Sequence, residues 1–472
     1  MGTTTRGRVR SSDPVGGEAF GLSPRCMISA RPMSTFSRLA KLGTLTTKVT
    51  GSYLGQQLAG MVQSEDKRRE ALDRLHIKNA GRIVENLGNL KGAAMKVGQA
   101  VAQVIDSADV PLEARAMLSR LHDKAEPVPW ETVKARIEQE LGGPVTSLFA
   151  KIDPSPLGTA SLGQVHAATL PDGTEVVIKV LHGGVEDAVH SDLAALKNLL
   201  IGGRVLKRSK AEIDGWFEEI EARMAEEVDY ESEARNLETF RRVLLHDPDV
   251  TVPRVHGGWS TKRVLTMERL HGKPLAAFVA TGTPEARQRA GTTLGRVFFD
   301  LFYGHRMIHG DPHPGNYLFA PDGKIGLLDF GCARYFDLEW VADYGACAIY
   351  TRREKREPMM RHAMAIGALT ERDADAEELL WELARAIGIP FRGGPFLTGG
   401  PDDDAHQKIA KVIPRILLNG KLRTPKELVF LHRALGGIYT LNKQLQPVTD
   451  WGQVIENAYA KTLRDSGRVL EG

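Results

Sequence analysis

In the stretch His309-Gly310-Asp311-Pro312-His313-Pro314-Gly315-Asn316 an aspartate is followed five positions later by an asparagine, and Asp329-Phe330-Gly331 lies eighteen positions beyond that aspartate. Two carboxylates and an amide at these spacings suit phosphoryl transfer. Asp311 could accept a proton from the attacking group or orient it. Asn316 and Asp329 offer the hard oxygens that Mg2+ takes when it accompanies ATP, which makes them the candidate metal ligands.

Such chemistry needs the three side chains close together. Leu318-Phe319, then Pro321-Asp322-Gly323-Lys324, then Ile325 to Leu328 reads as strand, tight turn, strand. That hairpin would hold Asn316 and Asp329 on opposite sides of one metal-binding cleft. A competing reading is a helical metal site, because His305, His309 and His313 recur every four residues. Pro312 and Pro314 cannot sit inside a helix, so that spacing does not stack three imidazoles on one face, and zinc is set aside.

Upstream, the character of the chain changes twice. Pro127 to Leu141 reads as a helix with Val133, Ile137 and Leu141 at four-residue spacing. After Gly142-Gly143-Pro144 come strands: one around Ile152, the small-residue loop Gly158-Thr159-Ala160-Ser161, a second strand, the Pro171-Asp172-Gly173 turn, and Glu175 to Val180 with Lys179 inside it. Strand, small-residue loop, strand, turn, strand with an internal lysine is the phosphate-covering hairpin of a kinase small lobe. The loop would let backbone N–H groups approach phosphate oxygens, and Lys179 would pair with them. Taken alone, a lysine in a Val/Ile strand is as easily an edge charge.

Residues 211–245 read as one long helix carrying Glu226-Glu227-Val228-Asp229-Tyr230. Glu227 is the carboxylate expected to lock Lys179 toward the phosphates, although most charges on such a helix form a solvated face. Val264 to Leu270 reads as a strand leading into the hinge, where adenine would bond backbone near Glu268–Leu270. The rest, from Pro274, is mostly helical, with a Gly/Pro/Asp-rich loop at 394–404.

The chain has 472 residues, 42% hydrophobic, enough for two lobes with a buried core. A net charge of +3 marks no nucleic-acid binder. Residues 1–48 nevertheless hold eight Lys/Arg against Asp13 and Glu18, and residues 1–33 read as a disordered basic arm. Between Thr35 and Gln63 a weakly amphipathic pattern fits a helix packed on the protein, or one lying on a membrane surface with help from the arm. Helices are expected near 65–88 and 90–106, with Lys96 and Gln99 on one face of the second. Cys26, Cys332 and Cys347 show neither metal nor disulfide spacing, which fits a reducing cytosol. No apolar run reaches transmembrane length, so the expected location is cytoplasmic, at most peripheral to a membrane.

From Leu87 to Tyr335 the chain resembles the UbiB/AarF-domain (ADCK) family of atypical kinases. Four motifs carry the resemblance: Lys96-Val97-Gly98-Gln99; Gly158-Thr159-Ala160-Ser161 with Gly163-Gln164-Val165-His166; Glu227-Val228-Asp229-Tyr230-Glu231-Ser232-Glu233-Ala234; and residues 309–316. It implies an α+β, protein-kinase-like two-lobe fold: an N-terminal helical extension over 34–125, a small β-rich N-lobe over 126–270 and a helical C-lobe over 271–472. It implies that the helix bearing Lys96 and Gln99 packs over the active site, with Lys96 directed toward Glu233 or Asp329. ATP and Mg2+ are the implied cofactors. ATP hydrolysis or small-molecule or lipid phosphorylation is the implied activity, with a quinone-like or lipid ligand, an anionic membrane surface and coenzyme Q biosynthesis as the implied setting. Two other functions fit parts of the pattern: an aminoglycoside- or choline-kinase-like phosphotransferase, and a nucleotide-sensing lipid-binding scaffold with little turnover. A general protein kinase fits less well, because no Ala-Pro-Glu follows Asp329-Phe330-Gly331.

Overall fold

The structure, a computed structural model, describes residues 127–159, 162–185 and 210–470, with scattered positions between 44 and 79 and at 193, 194 and 197. The basic arm, Lys96, Gln99, Ala160 and Ser161 lie outside the described residues.

The N-lobe opens with α1 (Trp130–Leu141) and the single turn α2 (Val145–Leu148). The four-residue spacing in α1 buries Val133 and Ile137. They pack with Phe149, Ile178, Val180 and Val264 against one face of a sheet. That sheet contains β1 (Lys151–Thr159), β2 (Gly163–Thr169), β3 (Glu175–Leu181) and, from later in the chain, β5 (Val264–Glu268), in the antiparallel order β1-β2-β3-β5. β3 is therefore an interior strand. Lys179 sits opposite Val165 on one side and Leu265 on the other, so it is no edge charge.

The expected helix over 211–245 is two helices, α3 (Lys210–Glu227) and α4 (Tyr230–Leu244). The break is an N-cap. The Asp229 carboxylate accepts from the backbone N–H groups of Glu231 and Ser232, each at 3.1 Å, satisfying donors that open a new helix. Asp229→Ala is expected to cost about 1 kcal/mol, the usual worth of such a cap, seen as a lower denaturation midpoint with an unchanged slope.

A two-residue strand, β4 (Val250–Thr251), precedes β5 in the chain and pairs in parallel with Ile325 and Gly326 of the C-lobe. There, α5 (Leu275–Thr281) and α6 (Pro284–Phe299) precede β6 (Met307–His309), β7 (Tyr317–Phe319), β8 (Ile325–Leu327) and β9 (Ala333–Tyr335). The β7–β8 hairpin pairs Tyr317 with Leu327 and Phe319 with Ile325, as its turn residues predict, while β6 pairs with β9. Then come α7 (Leu338–Arg352), α8 (Arg356–Ala365), α9 (Ala374–Ile387), β10 (Phe396–Leu397), α10 (Ala405–Leu417), α11 (Lys426–Leu445), β11 (Val448–Thr449) and α12 (Trp451–Ser466). The main core gathers residues of α6, α7, α11 and α12, and reaches into α4 through Leu237 and Phe240. Core side chains thus tie α4 to the lobe that carries the candidate loop. Among the described residues no helix is long and apolar enough to cross a membrane.

Candidate active site

Lys179 is the centre of the site. Its Nζ lies 2.6 Å from Glu233 Oε1 and 2.9 Å from Asp329 Oδ2, joining β3, α4 and the segment after β8. The glutamate that meets Lys179 is therefore Glu233 and not Glu227. Glu227 ends α3, whereas the new helix begun at Asp229 turns Glu233 inward from its first turn. Glu233 is 3% exposed and Asp329 keeps 39% of its side-chain surface open. Burial opposes the charge on Lys179, yet the Asp329 and Glu233 carboxylates outweigh it and hold the ammonium's pKa well above the ordinary lysine value. Burial, and then the Asp329 charge, push Glu233 up to about 7 against the pull of Lys179. Burial pushes Asp329 up as well, but Lys179 and the Gly331 N–H outweigh it and hold the carboxylate down to about 2.

Helix α4 does more than present Glu233. Asn236 Nδ2 donates to the Phe330 carbonyl at 3.0 Å, and Asn236 Oδ1 accepts from the Tyr335 hydroxyl at 3.0 Å. One helical turn further on, the Phe240 ring packs 4.9 Å from Phe330. Tyr230 opens the same helix and places its ring 5.4 Å from Lys179 Nζ. The sequence alone assigned no role to Asn236 or Tyr230. Asn236 and Phe240 lie three and seven residues beyond Glu233, on the same helical face, and that spacing was the signal that could have found them.

Asp311 and Asn316 lie between β6 and β7. Asn316 Nδ2 donates to the Asp311 carbonyl at 2.9 Å and to Asp311 Oδ2 at 3.0 Å. The Leu328 N–H donates to the Asn316 carbonyl at 3.0 Å, which sets Asn316 beside the strand end that leads into Asp329. With its NH2 held by Asp311, the Asn316 amide has its oxygen to offer a cation. Asp329 is partly open and stays ionised. An amide and a carboxylate of this kind fit Mg2+, which fills the rest of its shell with phosphate oxygens and water.

The three histidines have separate surroundings. His309 is buried, with Phe330 and Tyr317 ring centroids 5.3 and 5.9 Å away. His313 Nδ1 accepts from the Gly315 N–H at 3.1 Å. His305 follows the π-helical turn Asp300–Gly304 that continues α6, and it faces Lys461 and Asp465.

Helix α11 braces the loop from behind. Arg433 donates to the Gly310 carbonyl at 3.2 Å. Gly437 lets Pro312 close in, since a Cβ there would stand 2.1 Å from Pro312 Cγ. At Gly310 itself a Cβ would meet the Cys332 carbonyl oxygen at 2.2 Å, across the β6–β9 pair. Gly310→Ala is expected to destabilise the protein by about 1–3 kcal/mol, the usual cost of overpacking, and to weaken ATP turnover at temperatures where it stays folded. Thermal denaturation together with an activity assay checks both.

Elsewhere the expected residues fall into place less directly. Gly158 and Thr159 end β1, and Thr159 pairs with Gln164. Gln164 and His166 are buried and structural. Gln164 Oε1 accepts from the Val128 N–H, and His166 Nδ1 contacts the Asp153 carbonyl at 2.9 Å. Glu268 ends β5 and its N–H donates to the Arg254 carbonyl at 2.8 Å. Leu270 follows and packs on the hairpin near Gly326. After Asp329-Phe330-Gly331 the chain pairs β9 with β6 and enters α7 at Leu338.

Comparison with known proteins identifies the family. The family model described as the ABC1 atypical kinase-like domain matches residues 120–363. The chain is 28% identical over 421 residues to the Saccharomyces cerevisiae protein named atypical kinase COQ8, mitochondrial, covering 88% of this chain and 82% of that one. It is 30% identical over 436 residues to atypical kinase COQ8B, mitochondrial, of Rattus norvegicus, covering 88% and 80%. Among solved structures, Rv3197 of Mycobacterium tuberculosis, in complex with erythromycin, superposes with a TM-score of 0.58 at 27% identity, over 84% of this chain and 100% of that one. The chain belongs to the ABC1 (UbiB/AarF) family and is an atypical kinase-like enzyme.

Proposed function

We propose that this chain is a magnesium-dependent ATPase or small-molecule or lipid phosphotransferase that supports coenzyme Q biosynthesis at an anionic membrane surface. The observation that carries the reading is the Lys179–Glu233–Asp329 cluster, which places one ammonium between two carboxylates on three separate elements. Lys179 positions the phosphates, and Glu233 holds Lys179 in place. Asp311 orients the attacking hydroxyl or water and accepts its proton. Asn316 and Asp329 hold Mg2+, which when bound neutralises phosphate charge. The Glu268 carbonyl and Leu270 receive adenine, and Gly158 to Ser161 cover the phosphates. Lys96 and Gln99 are assigned to the same cleft from the family motif. The short passage from Gly331 to α7 favours a small acceptor over a peptide. The eight Lys/Arg within residues 1–48 supply the attraction to anionic lipid.

The test is ATP hydrolysis by the purified chain with magnesium, with and without anionic liposomes. Turnover that rises with liposomes supports the reading, and tight ATP binding without turnover favours the nucleotide-sensing scaffold instead. The clamp also predicts a pH dependence. Glu233 must be ionised to hold Lys179, and its pKa is raised to about 7, so the charged form grows as pH rises through that value. Lys179 stays charged throughout. The kcat/KM for ATP is therefore expected to rise with pH through about 7, with the inflection absent in Glu233→Gln.

A further inference from the structure

Two adjoining cavities lie inside the helical lobe, and none of the site residues named above lines either of them. One has a volume of about 210 Å³ and the other about 320 Å³. Phe299, Leu383, Ile387, Phe391 and Leu435 line both, and Ile413 of α10 borders both. Both are partly open to solvent, and the surface they present is mainly apolar.

Polar residues interrupt the apolar lining, among them Arg352, Arg423, Tyr439, Asn442 and a Tyr344–His432 pair. The Tyr344 hydroxyl and His432 Nε2 are 3.0 Å apart. Burial pushes His432 down to about 4, so the imidazole is neutral at physiological pH. Asn442 is 3% exposed and lines the larger cavity, and its Oδ1 has no hydrogen-bond partner among the described residues. A buried amide oxygen in that position calls for a donor. A mostly apolar wall with a minority of polar groups is the make-up of a small-molecule site.

Helix α10 has the form of a cover. It packs mainly on α9, it turns Ile409 and Ile413 toward the larger cavity, and Lys408, Lys411 and Arg415 occupy other positions along it. At its end Leu417 and Leu418 are 63% and 87% exposed, forming an apolar lip.

We propose that these joined cavities bind a single apolar chain, acyl or isoprenoid, that enters beneath α10 and carries one hydrogen-bond donor to Asn442. The inner wall of the site is α11, whose opposite side braces Gly310 and Pro312. The chain would thus lie one helix behind the catalytic loop. This goes beyond the proposed ATP chemistry and does not depend on it.

The experiment is equilibrium dialysis of the full chain, without nucleotide, against labelled hexadecanol and labelled geranylgeraniol, and against the methyl ether of each. Saturable binding near one molecule per chain is expected, and the tighter of the two alcohols identifies the source as acyl or isoprenoid. Ile413→Trp, at a partly exposed position of the cover, is expected to weaken binding at least about tenfold. Asn442→Leu is expected to remove the preference for alcohol over ether while leaving ether binding in place, a difference measured within one folded protein. Absence of saturable binding overturns the proposal, as does binding that both variants leave unchanged. Because the assay contains no nucleotide, a chain that binds alcohol but turns over no ATP would sink the proposed function and leave this site standing, and the converse also holds.

Discussion

Asp329→Asn is expected to lower magnesium-dependent ATP turnover by at least about a hundredfold, the usual scale for removing one preorganised electrostatic group from a reacting centre. The substitution preserves size and removes charge. Asp329 Oδ2 accepts from Lys179 Nζ at 2.9 Å and Oδ1 accepts from the Gly331 N–H at 3.0 Å. An amide can keep one of those bonds but cannot hold a cation as a carboxylate does, and it leaves Lys179 with one anionic partner in place of two. Steady-state hydrolysis of both proteins, with circular dichroism to show that each is folded, makes the comparison. Turnover retained in the variant would overturn the assignment of Asp329 as a magnesium ligand.

The second large effect separates two glutamates six positions apart. Glu233→Gln is expected to reduce kcat/KM for ATP by about tenfold to a hundredfold, because misplacing a positioning group by an ångström can cost that much. Glu227→Gln is expected to change it little. The reason is geometric: Glu233 Oε1 is 2.6 Å from Lys179 Nζ and also takes the Phe330 N–H at 3.4 Å, so one carboxylate organises both the lysine and the Asp-Phe-Gly turn. Measuring both variants side by side decides the matter. Equal losses, or the larger loss at Glu227, would reject Glu233 as the clamp.

Much of this site is legible in the amino-acid sequence by itself. The loop from His309 to Asn316 and the hairpin that follows it are local features. Their turns close within a few residues, as in the Asn316 amide reaching Asp311 five positions back and the Gly323 N–H bonding the Ala320 carbonyl. Residue type and spacing suffice to predict such contacts, because little chain has to be ordered to form them. The same holds for the strand that carries Lys179 and for α1, whose apolar period names its buried face.

What the tertiary structure decided was which distant groups meet. Lys179 is 54 residues from Glu233 and 150 from Asp329, and the sequence pointed to Glu227 as its partner instead. The choice fell to Asp229, which ends one helix by capping the next and so turns Glu233, Asn236 and Phe240 together onto the Asp-Phe-Gly turn. The interior place of β3 depended on β5 arriving from another part of the chain. The paired cavities behind α11 had no signature at all, because an unfilled space belongs to no residue and arises only where several helices fail to close on one another. Short-range hydrogen bonding and side-chain period are written along the chain. Long-range pairing and packing depend on where every other element comes to rest.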